Sequence, residues 1–368
     1  MKKIFAALLA LAMLLCAGSA LAAVKKGGGD AMLGKDYTLS PKKVLSILKD
    51  GLTVSGSEYS WIGIASNVTS VTFDGVSVTA PSNCPAVGIG EGGSSITLTF
   101  KGANVLTGGS DCEGNSGSAI LSGRTGVTKI VVENGASLLA TGGAGGSGYA
   151  GGAGIAAAGS VEVTGASATG GAGGTGGAGG AGITAAHSVK VSGTTATGGA
   201  GGAGGVGGDG ISAIDSVVAT DTSATGGNGG DGGADGKGGD GGKGIAAYEN
   251  VVATDTSATG GNGGRGSKGG NGGAGIGVGR SDPGEVCYLK VNNVIATGGD
   301  GGVAYGAGGR GLLIGNNLSE TQNFIKRNGR DAGGDEPDLP QTGDPSMLMG
   351  WVCLLGASAA GLKARRKK

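Results

Sequence analysis

Val161-Glu-Val-Thr-Gly-Ala-Ser-Ala-Thr169 is a segment that recurs along the chain, and its recurrence decides the fold. Ungapped copies begin at Val189, Val217, Val251 and Leu289, and every copy ends on a threonine. Self-similarity at a period of about 30 residues indicates a repeat architecture, in which each repeat buries its apolar side only against its neighbours. Each repeat is therefore expected to be one structural unit of the chain.

A Gly-apolar pair marks the start of each repeat. The markers, which lie 28, 28, 34 and 31 residues apart, are Ile155, Ile183, Ile211, Ile245 and Ile276. Leu312 opens a last, partial repeat. Weaker copies lie earlier in the chain, at Val71 to Thr79, Ile96 to Thr107 and Ile130 to Thr141, with markers Ile64, Ile89 and Ile120.

Each copy has the features of a short strand followed by a turn. Val161 and Val163 alternate with polar residues, and alternation at period 2 is typical of a β-strand. Turn-forming residues then interrupt the copies, at Gly165, Gly193, Asp221, Asp255 and Asn293. Short strands separated by turns predict a parallel β-solenoid with one rung per repeat. The predicted inward residues are the five isoleucine markers with Val163, Val191 and Val291, and the equivalent Ala219 and Ala253 predict a thin core.

The glycine-rich segments between the copies consist of whole three-residue units. Residues 170–181 form four Gly-Gly-x triplets, residues 198–209 four, residues 226–243 six and residues 260–274 five, with Asp235 and Ser267 each replacing one glycine. Such counting suits a polyproline-II-like helix, which has three residues per turn. Stacked Gly-Gly-x helices with every third side chain outward are one interpretation, and flexible glycine-rich loops are the other.

Composition and charge exclude several classes of protein. Glycine supplies 91 of 368 residues against 7 prolines, which does not match the proline content of collagen. Basic and acidic residues number 27 each, so net charge provides no attraction for nucleic acid. The single histidine, His187, argues against His-dependent hydrolysis and histidine-rich zinc sites. We expect no cofactor.

The succession Gly-Ile, Val-x-Val and Ala-Thr-Gly-Gly resembles the repeats of right-handed β-helix surface proteins of Gram-positive bacteria. The resemblance covers about Trp61 to Asn316 and implies an all-β, right-handed parallel β-solenoid, similar to pectate lyases. The triplet counting adds polyglycine-II-like segments to each rung of this prediction. Short helices are expected to cap both ends, over Ser40 to Gly51, where a serine, a proline and a terminal glycine suit helix ends, and over Leu318 to Asn328.

Two cysteines occupy equivalent places in neighbouring repeats. Cys84 follows Thr79 by five residues, and Cys112 follows Thr107 by five. Stacked rungs would bring the two thiols within reach of a disulfide in an oxidising, extracytoplasmic setting.

Three elements follow one another at the C-terminal end of the sequence. Leu339-Pro340-Gln341-Thr342-Gly343 precedes an apolar run from Met347 to Leu362, and a basic tail completes the set. This order resembles the LPXTG cell-wall sorting signal of Gram-positive surface proteins. The resemblance implies that a sortase cuts between Thr342 and Gly343 and joins Thr342 to peptidoglycan. The apolar run is shorter than the about 20 residues of a comfortable transmembrane span, and the cationic tail is expected on the cytoplasmic side.

The N-terminal segment has the pattern of a secretory signal peptide. Two lysines precede an apolar stretch from Ile4 to Cys16, and Ala20-Leu21-Ala22 suits cleavage after Ala22. The predicted organisation is a signal peptide over 1–22, an N-terminal segment with a capping helix over 23–60, the solenoid over 61–316, a cap and linker over 317–338, and the sorting signal over 339–368. We expect the product on the surface of a Gram-positive cell wall.

Aspartates and threonines are the candidates for chemistry. Asp221 and Asp255 fall at equivalent turns, but earlier rungs carry glycine there, so a structural role is favoured over the carboxylate cluster of a polysaccharide hydrolase. Asp231, Asp235 and Asp240 are candidates for weak cation binding, against which solubilising charge is the favoured interpretation.

Threonines end the successive copies, at Thr169, Thr197, Thr225, Thr259 and Thr297. Threonine ladders are known from ice-binding proteins, but each of these threonines precedes a glycine and no outward Thr-x-Thr pair is evident across the repeats. Stacked threonines are also ordinary in parallel β-structure. Ice binding is therefore not favoured.

The sequence thus predicts a non-enzymatic wall protein for adhesion or structural display. Its expected partners are a sortase, peptidoglycan and a glycan or host-surface ligand, and nucleic acid is not among them. The alternative is a glycan-binding or polysaccharide-degrading module on the same scaffold. Such a module would need aromatic residues or clustered acids in a groove, and Trp61 is the only tryptophan before the sorting signal.

Overall fold

The computed structural model describes residues 37–38, 43–110, 117–232, 236–279, 287–302, 307–314, 318–322 and 325–326. Over these residues the chain is all-β, and no described residue is helical. The first strands are β1 (Tyr37–Thr38), β2 (Lys43–Ile47), β3 (Leu52–Ile64), β4 (Ser70–Thr79), β5 (Val87–Gly92), β6 (Ile96–Lys101), β7 (Ala103–Thr107), β8 (Ile120–Arg124), β9 (Val127–Val132) and β10 (Ser137–Thr141).

The regular repeats supply the following strands. They are β11 (Ile155–Ala157), β12 (Ser160–Thr164), β13 (Ser167–Thr169), β14 (Ile183–Ala185), β15 (Val189–Ser192), β16 (Thr195–Thr197), β17 (Ile211–Ala213), β18 (Ser216–Thr220), β19 (Ser223–Thr225), β20 (Ile245–Ala247), β21 (Asn250–Thr254), β22 (Ser257–Thr259), β23 (Ile276–Val278), β24 (Cys287–Asn292) and β25 (Val294–Thr297). The last are β26 (Leu312–Ile314), β27 (Leu318–Gln322) and β28 (Ile325–Lys326).

Each regular rung supplies three strands, and each strand pairs in parallel with its equivalent in the next rung. Thus β11 pairs with β14, β12 with β15 and β13 with β16. The pairing aligns Ile155 with Ile183 and Thr169 with Thr197, as the repeats predict. The predicted parallel β-solenoid is confirmed.

The core runs along the solenoid as stacked apolar columns. Every predicted inward residue is at most 2% exposed, and these are Ile155, Ile183, Ile211, Ile245, Ile276, Val163, Val191, Val291, Ala219 and Ala253. The core of the earlier rungs contains bulkier side chains. Among them are Phe73 and Phe100, which stack with their ring centroids 5.0 Å apart. Small side chains in the later rungs bury less apolar surface, so those rungs depend more on backbone pairing.

The early rungs differ from the predicted register by two residues. The repeat markers predict that Ile64 and Ile89 stack below Ile120, but Ile62 and Val87 occupy that column. Ile64 pairs with Ile89, and Ile89 with Ser122, in the neighbouring inward column. Because side chains alternate with period 2, a shift of two residues keeps the same face inward, and local pattern cannot distinguish the two registers.

The predicted cap helices are wrong over the described residues. β2 is a strand that pairs with β3, where it aligns Ile47 with Ile64 and buries Ile47 at 1% exposure. β27 and β28 likewise pair with β24 and β25. The edge of a parallel sheet presents unpaired N–H and C=O groups, and a further strand satisfies them where a helix would only cover them.

The interrupting residues of the copies adopt left-handed backbone geometry. Their φ values are positive: Gly165 (76°), Gly193 (58°), Asp221 (48°), Asp255 (49°) and Asn293 (49°). Glycine, aspartate and asparagine are the residues that tolerate this region best. The prediction that the strand turns at these positions is confirmed.

Glycine-rich segments pack on one another beside the strands. We call them the glycine wall, which comprises residues 142–154, 170–182, 198–210, 226–232, 236–244, 260–275, 298–302 and 307–311. In the rung at 170–182 the segment forms two arms that are joined by a turn at Gly176, where φ is 75°. The Gly180 N–H donates to the Gly171 carbonyl at 2.8 Å, which joins the two arms.

Hydrogen bonds between rungs of the wall recur at every third residue. The N–H groups of Gly170, Gly173 and Gly176 donate to residues 197, 200 and 203 of the next rung at 2.8–2.9 Å. A Cβ built on Gly171 would lie 1.9 Å from the Gly143 carbonyl oxygen, and one built on Gly170 would lie 1.9 Å from that of Gly180. Both glycines of a triplet are therefore required by close backbone approach, which favours packing over flexible loops.

Candidate functional site

The predicted sorting signal, Leu339 to Gly343 with the attachment residue Thr342, lies outside the described residues. The predicted signal peptide and the apolar run from Met347 to Leu362 lie outside them too. Among the residues that the structure describes, no helix is long and apolar enough to cross a membrane.

The turn aspartates form hydrogen bonds with the neighbouring rung of the solenoid. The Asp221 N–H donates to the Thr254 carbonyl at 3.1 Å, and the Asn293 side-chain amide donates to the Asp255 carboxylate at 2.6 Å. Their left-handed φ gives these residues a structural role. Over the described ranges, no group of three or more His, Cys, Asp or Glu residues could hold a metal ion.

Aspartates and asparagines of the wall hold the neighbouring rung by two hydrogen bonds. Asp231 Oδ1 accepts the Arg265 N–H at 2.7 Å, and the N–H of Gly232 donates to the Arg265 carbonyl at 2.7 Å. We call this arrangement an Asx-Gly clamp. It recurs as Asp209-Gly210 on Lys243, Asn228-Gly229 on Asn262, Asp240-Gly241 on Asn271, Asn262-Gly263 on Asp300 and Asn271-Gly272 on Ala307.

The clamps give a structural role to Asp231 and Asp240, for which the sequence predicts solubilising charge or weak cation binding. One carboxylate oxygen of Asp231 and one of Asp240 already accept backbone N–H groups, and Asp235 lies outside the described residues. In a triplet the first two N–H groups bond within the wall, so the third is left for a side-chain acceptor from the preceding rung. The signal that could have revealed this is Asn or Asp before glycine at the third triplet position.

The third strand of each rung presents a ladder of hydroxyl groups. We call the outward residues of β13, β16, β19 and β22 the hydroxyl face; they are Ser167, Thr169, Thr195, Thr197, Ser223, Thr225, Ser257 and Thr259. The alanine between each pair is buried. Pairing keeps the pairs in register from rung to rung, with spacings of about 4.8 Å across rungs and about 6.6 Å along each strand.

The hydroxyl face contains more outward hydroxyl pairs than the threonines alone indicate. Among these four strands only β16 contains Thr-x-Thr, at Thr195-Ala196-Thr197, whereas Ser-Ala-Thr in the other three presents equivalent outward hydroxyls. All eight side chains of the face are uncharged. The neighbouring face differs, because Lys129, Glu162 and Lys190 lie beside one another there.

A buried arginine joins the early rungs. Arg124 is fully buried; its Nη1 donates to Ser94 Oγ at 2.6 Å, and its Nη2 donates to the carbonyls of Ala65 and Val68 at 3.0 and 2.7 Å. Burial lowers the pKa of Arg124, and the nearby Asp50 charge opposes that shift. The contacts join the segment of Arg124 to Ser94 and to the turn at residues 65–68, and they indicate a structural role.

Asp50 forms the exposed part of the same cluster. Its Oδ1 accepts the N–H groups of Thr69 and Ser70, the latter at 2.9 Å. These backbone hydrogen bonds lower the pKa of the Asp50 carboxyl below its ordinary value. Both bonds favour the charged form, which fixes the turn before β4.

His187 pairs with Asp215 at an exposed corner. The His187 Nδ1 and Asp215 Oδ2 atoms lie 3.0 Å apart, and they belong to successive rungs. In a hydrolytic triad the other ring nitrogen would contact a nucleophilic hydroxyl. No such contact is formed within the described part of the chain, so the pair has the geometry of a rung-to-rung link.

The candidate disulfide falls partly within the structure. Thr79 pairs with Thr107, as the cysteine argument requires, and the Gly109 N–H donates to the Cys84 carbonyl at 2.9 Å. Cys84 is half-buried, and burial raises the pKa of its thiol. Cys112 lies outside the described residues, so the bond stays a prediction.

We expect non-reducing peptide mapping of the exported protein to show Cys84 linked to Cys112. In the chain-entropy model, closing a loop of this size stabilises the fold by about 3.6 kcal/mol. The double variant Cys84→Ser with Cys112→Ser should therefore unfold at lower urea, with Cys287→Ser as the matched control. Two free thiols at positions 84 and 112 would contradict the pairing.

Comparison of the chain with protein-family models, with curated proteins and with solved structures finds no match. Function must therefore be inferred from the motifs and surfaces described above.

Proposed function

We propose that this protein is exported, linked by a sortase through Thr342 to peptidoglycan, and displayed on a Gram-positive cell wall as an adhesive or structural surface protein. The observation that carries the proposal is the order of Leu339-Pro340-Gln341-Thr342-Gly343, an apolar run and a basic tail. The N-terminal signal-peptide pattern supports export.

The solenoid supports display rather than catalysis. Its candidate acids, Asp221, Asp255, Asp231 and Asp240, are engaged in turns and clamps. We also propose that the wall segments are polyglycine-II-like helices, since their rung-to-rung hydrogen bonds recur every three residues. Stacked helices of this kind would stiffen the domain beside its thin core.

Mass spectrometry of muramidase-digested walls tests the anchoring. We expect a peptide that ends at Thr342 and carries an amide-linked peptidoglycan fragment. A Thr342 peptide that continues into Gly343 in the wall fraction would overturn the proposal.

The hydroxyl face is the surface that we propose for adhesion. It is uncharged and regular, and its hydroxyl groups both donate and accept hydrogen bonds, as a glycan ligand requires. A glycan-binding role on the same scaffold is the alternative molecular activity, and it would use this face. Ordered water in ice is a second candidate, which the outward hydroxyl pairs support.

A charge placed on the hydroxyl face should weaken adhesion. We expect Ser223→Lys to reduce retention on a glycan and matrix array at least about tenfold, because an unpaired charge would be desolvated on contact. Val218→Lys, on the neighbouring face of the same rung, is the matched control. Equal retention by the two variants would exclude the hydroxyl face, and unaltered ice growth with the wild-type protein would exclude ice.

A further inference from the structure

The dipeptide Asn-Gly occurs in two contrasting environments of this fold. Three copies lie in the wall, at Asn228, Asn262 and Asn271, and each forms an Asx-Gly clamp. A fourth, Asn134-Gly135, lies at the exposed corner between β9 and β10. The fifth, Asn328-Gly329, lies outside the described residues.

Asn-Gly is the dipeptide in which a backbone nitrogen most readily attacks the preceding side chain, because glycine has no Cβ to obstruct the approach. The Gly nitrogen forms a bond to the Asn side-chain carbonyl carbon and loses its proton. The bond from that carbon to the amide nitrogen breaks, and ammonia leaves. Water then opens the resulting five-membered succinimide at either carbonyl, and the product is aspartate or isoaspartate.

In the wall both reacting groups are held. The Asn228 Oδ1 accepts the Asn262 N–H at 2.8 Å, while the Gly229 N–H donates to the Asn262 carbonyl at 2.8 Å. Asn262-Gly263 and Asn271-Gly272 are held in the same way by Asp300 and Ala307. The side-chain carbonyl of each asparagine therefore points toward the next rung. The glycine N–H that would attack this carbonyl already donates a hydrogen bond to a backbone carbonyl of that rung.

At the corner neither group is held. The Ala136 N–H donates to the Glu133 carbonyl at 3.0 Å, and Gly135 has a φ of 79°, so Asn134 and Gly135 are the central residues of a turn. Within the described part of the chain, the Asn134 side chain and the Gly135 N–H form no hydrogen bond. A Cβ built on Gly135 would meet nothing within 4 Å, so the site is open to water.

We propose that Asn134 is a site of spontaneous deamidation in this protein and that the glycine wall shields Asn228, Asn262 and Asn271 from the same reaction. The product adds a negative charge beside Glu133, whose carboxylate lies 3.6 Å from Lys101 Nζ. Isoaspartate also lengthens the backbone at the corner. The exposed corner would thus accumulate the modification with the age of the molecule.

Peptide mapping of the purified full chain, incubated in mildly alkaline buffer, tests the proposal. We expect Asn134 to deamidate at least about tenfold faster than the three wall sites, since these react only from locally opened states. In concentrated urea the four rates should converge, because the dipeptide is the same. Four equal rates in the native protein, or a wall site faster than Asn134, would overturn the proposal.

Two variants test the reaction at Asn134 and the protection by the clamp separately. Asn134→Gln should abolish the reaction at the corner, because attack would need a slower six-membered ring. Asn262→Pro removes the N–H that Asn228 Oδ1 accepts, so deamidation of Asn228 should rise several-fold while that of Asn271 stays slow. An unaltered rate at Asn228 would contradict protection by the clamp. Hydrogen exchange at Gly229, Gly263 and Gly272, compared with Gly135, measures the same protection without any substitution.

Discussion

Replacing Leu339 and Pro340 by alanine should abolish covalent attachment of the protein to the wall. A proline fixes its own φ and favours extended geometry in the residue before it, so the Leu339-Pro340 sequence suits a peptide lying in an enzyme groove. We expect the protein to move almost entirely from the covalent peptidoglycan fraction to the membrane and the medium. Immunoblotting of these fractions after boiling in detergent measures the change.

Gln341→Ala is the matched control for this experiment. Position 341 is the variable one in the motif that the segment resembles, so this variant should remain in the wall fraction. Retention of the doubly substituted protein in covalent linkage to the wall would contradict the proposed anchoring.

Gly199→Ala should destabilise the solenoid strongly although it adds one methyl group. The added Cβ would lie 2.0 Å from the Gly171 carbonyl oxygen, and the Gly199 N–H already donates to the Gly180 carbonyl at 2.8 Å. The backbone must separate locally, and overpacking of this kind costs up to about 3 kcal/mol. We expect a lower urea midpoint and faster hydrogen exchange in the adjacent wall segments.

Ala200→Ser is the control that adds one heavy atom at the next position. The Ala200 side chain is exposed at the third place of its triplet, so this variant should leave the urea midpoint nearly unchanged. Equal urea midpoints for the two variants would favour the flexible-loop interpretation of the glycine segments, in which an added methyl group makes no contact.

The strands and turns of the regular rungs could be predicted because their causes are local. Alternation of Val161 and Val163 with polar residues requires one inward face, and aspartate or glycine at Asp221 and Gly193 suits a left-handed turn. The triplet counting also agrees with the hydrogen bonds between rungs of the wall, which recur at every third residue. The predicted inward residues were correct for the same reason.

The ends and the surfaces could not be predicted in the same way. Ser40 to Gly51 carries local helix signals, but the open edge of β3 provides backbone partners that favour a strand at Lys43–Ile47. The hydroxyl face is not evident from Thr-x-Thr spacing, because serine replaces threonine in three of its four strands, and both residues present a hydroxyl group outward from the same strand position.

The sequence by itself determined the period of the repeat, the inward face of each regular strand, the turn positions and the motif on which the anchoring proposal rests. These depend on residues close together in the chain. Only the tertiary structure decided the register of the early rungs, the strands at both ends and the Asx-Gly clamps. Each of these depends on partners in the next rung. A shift of two residues leaves the inward face of an early rung unchanged, so the register depends on the neighbouring strands. A clamp joins residues such as Asp231 and Arg265, which are 34 residues apart in the chain and meet only because the rungs stack.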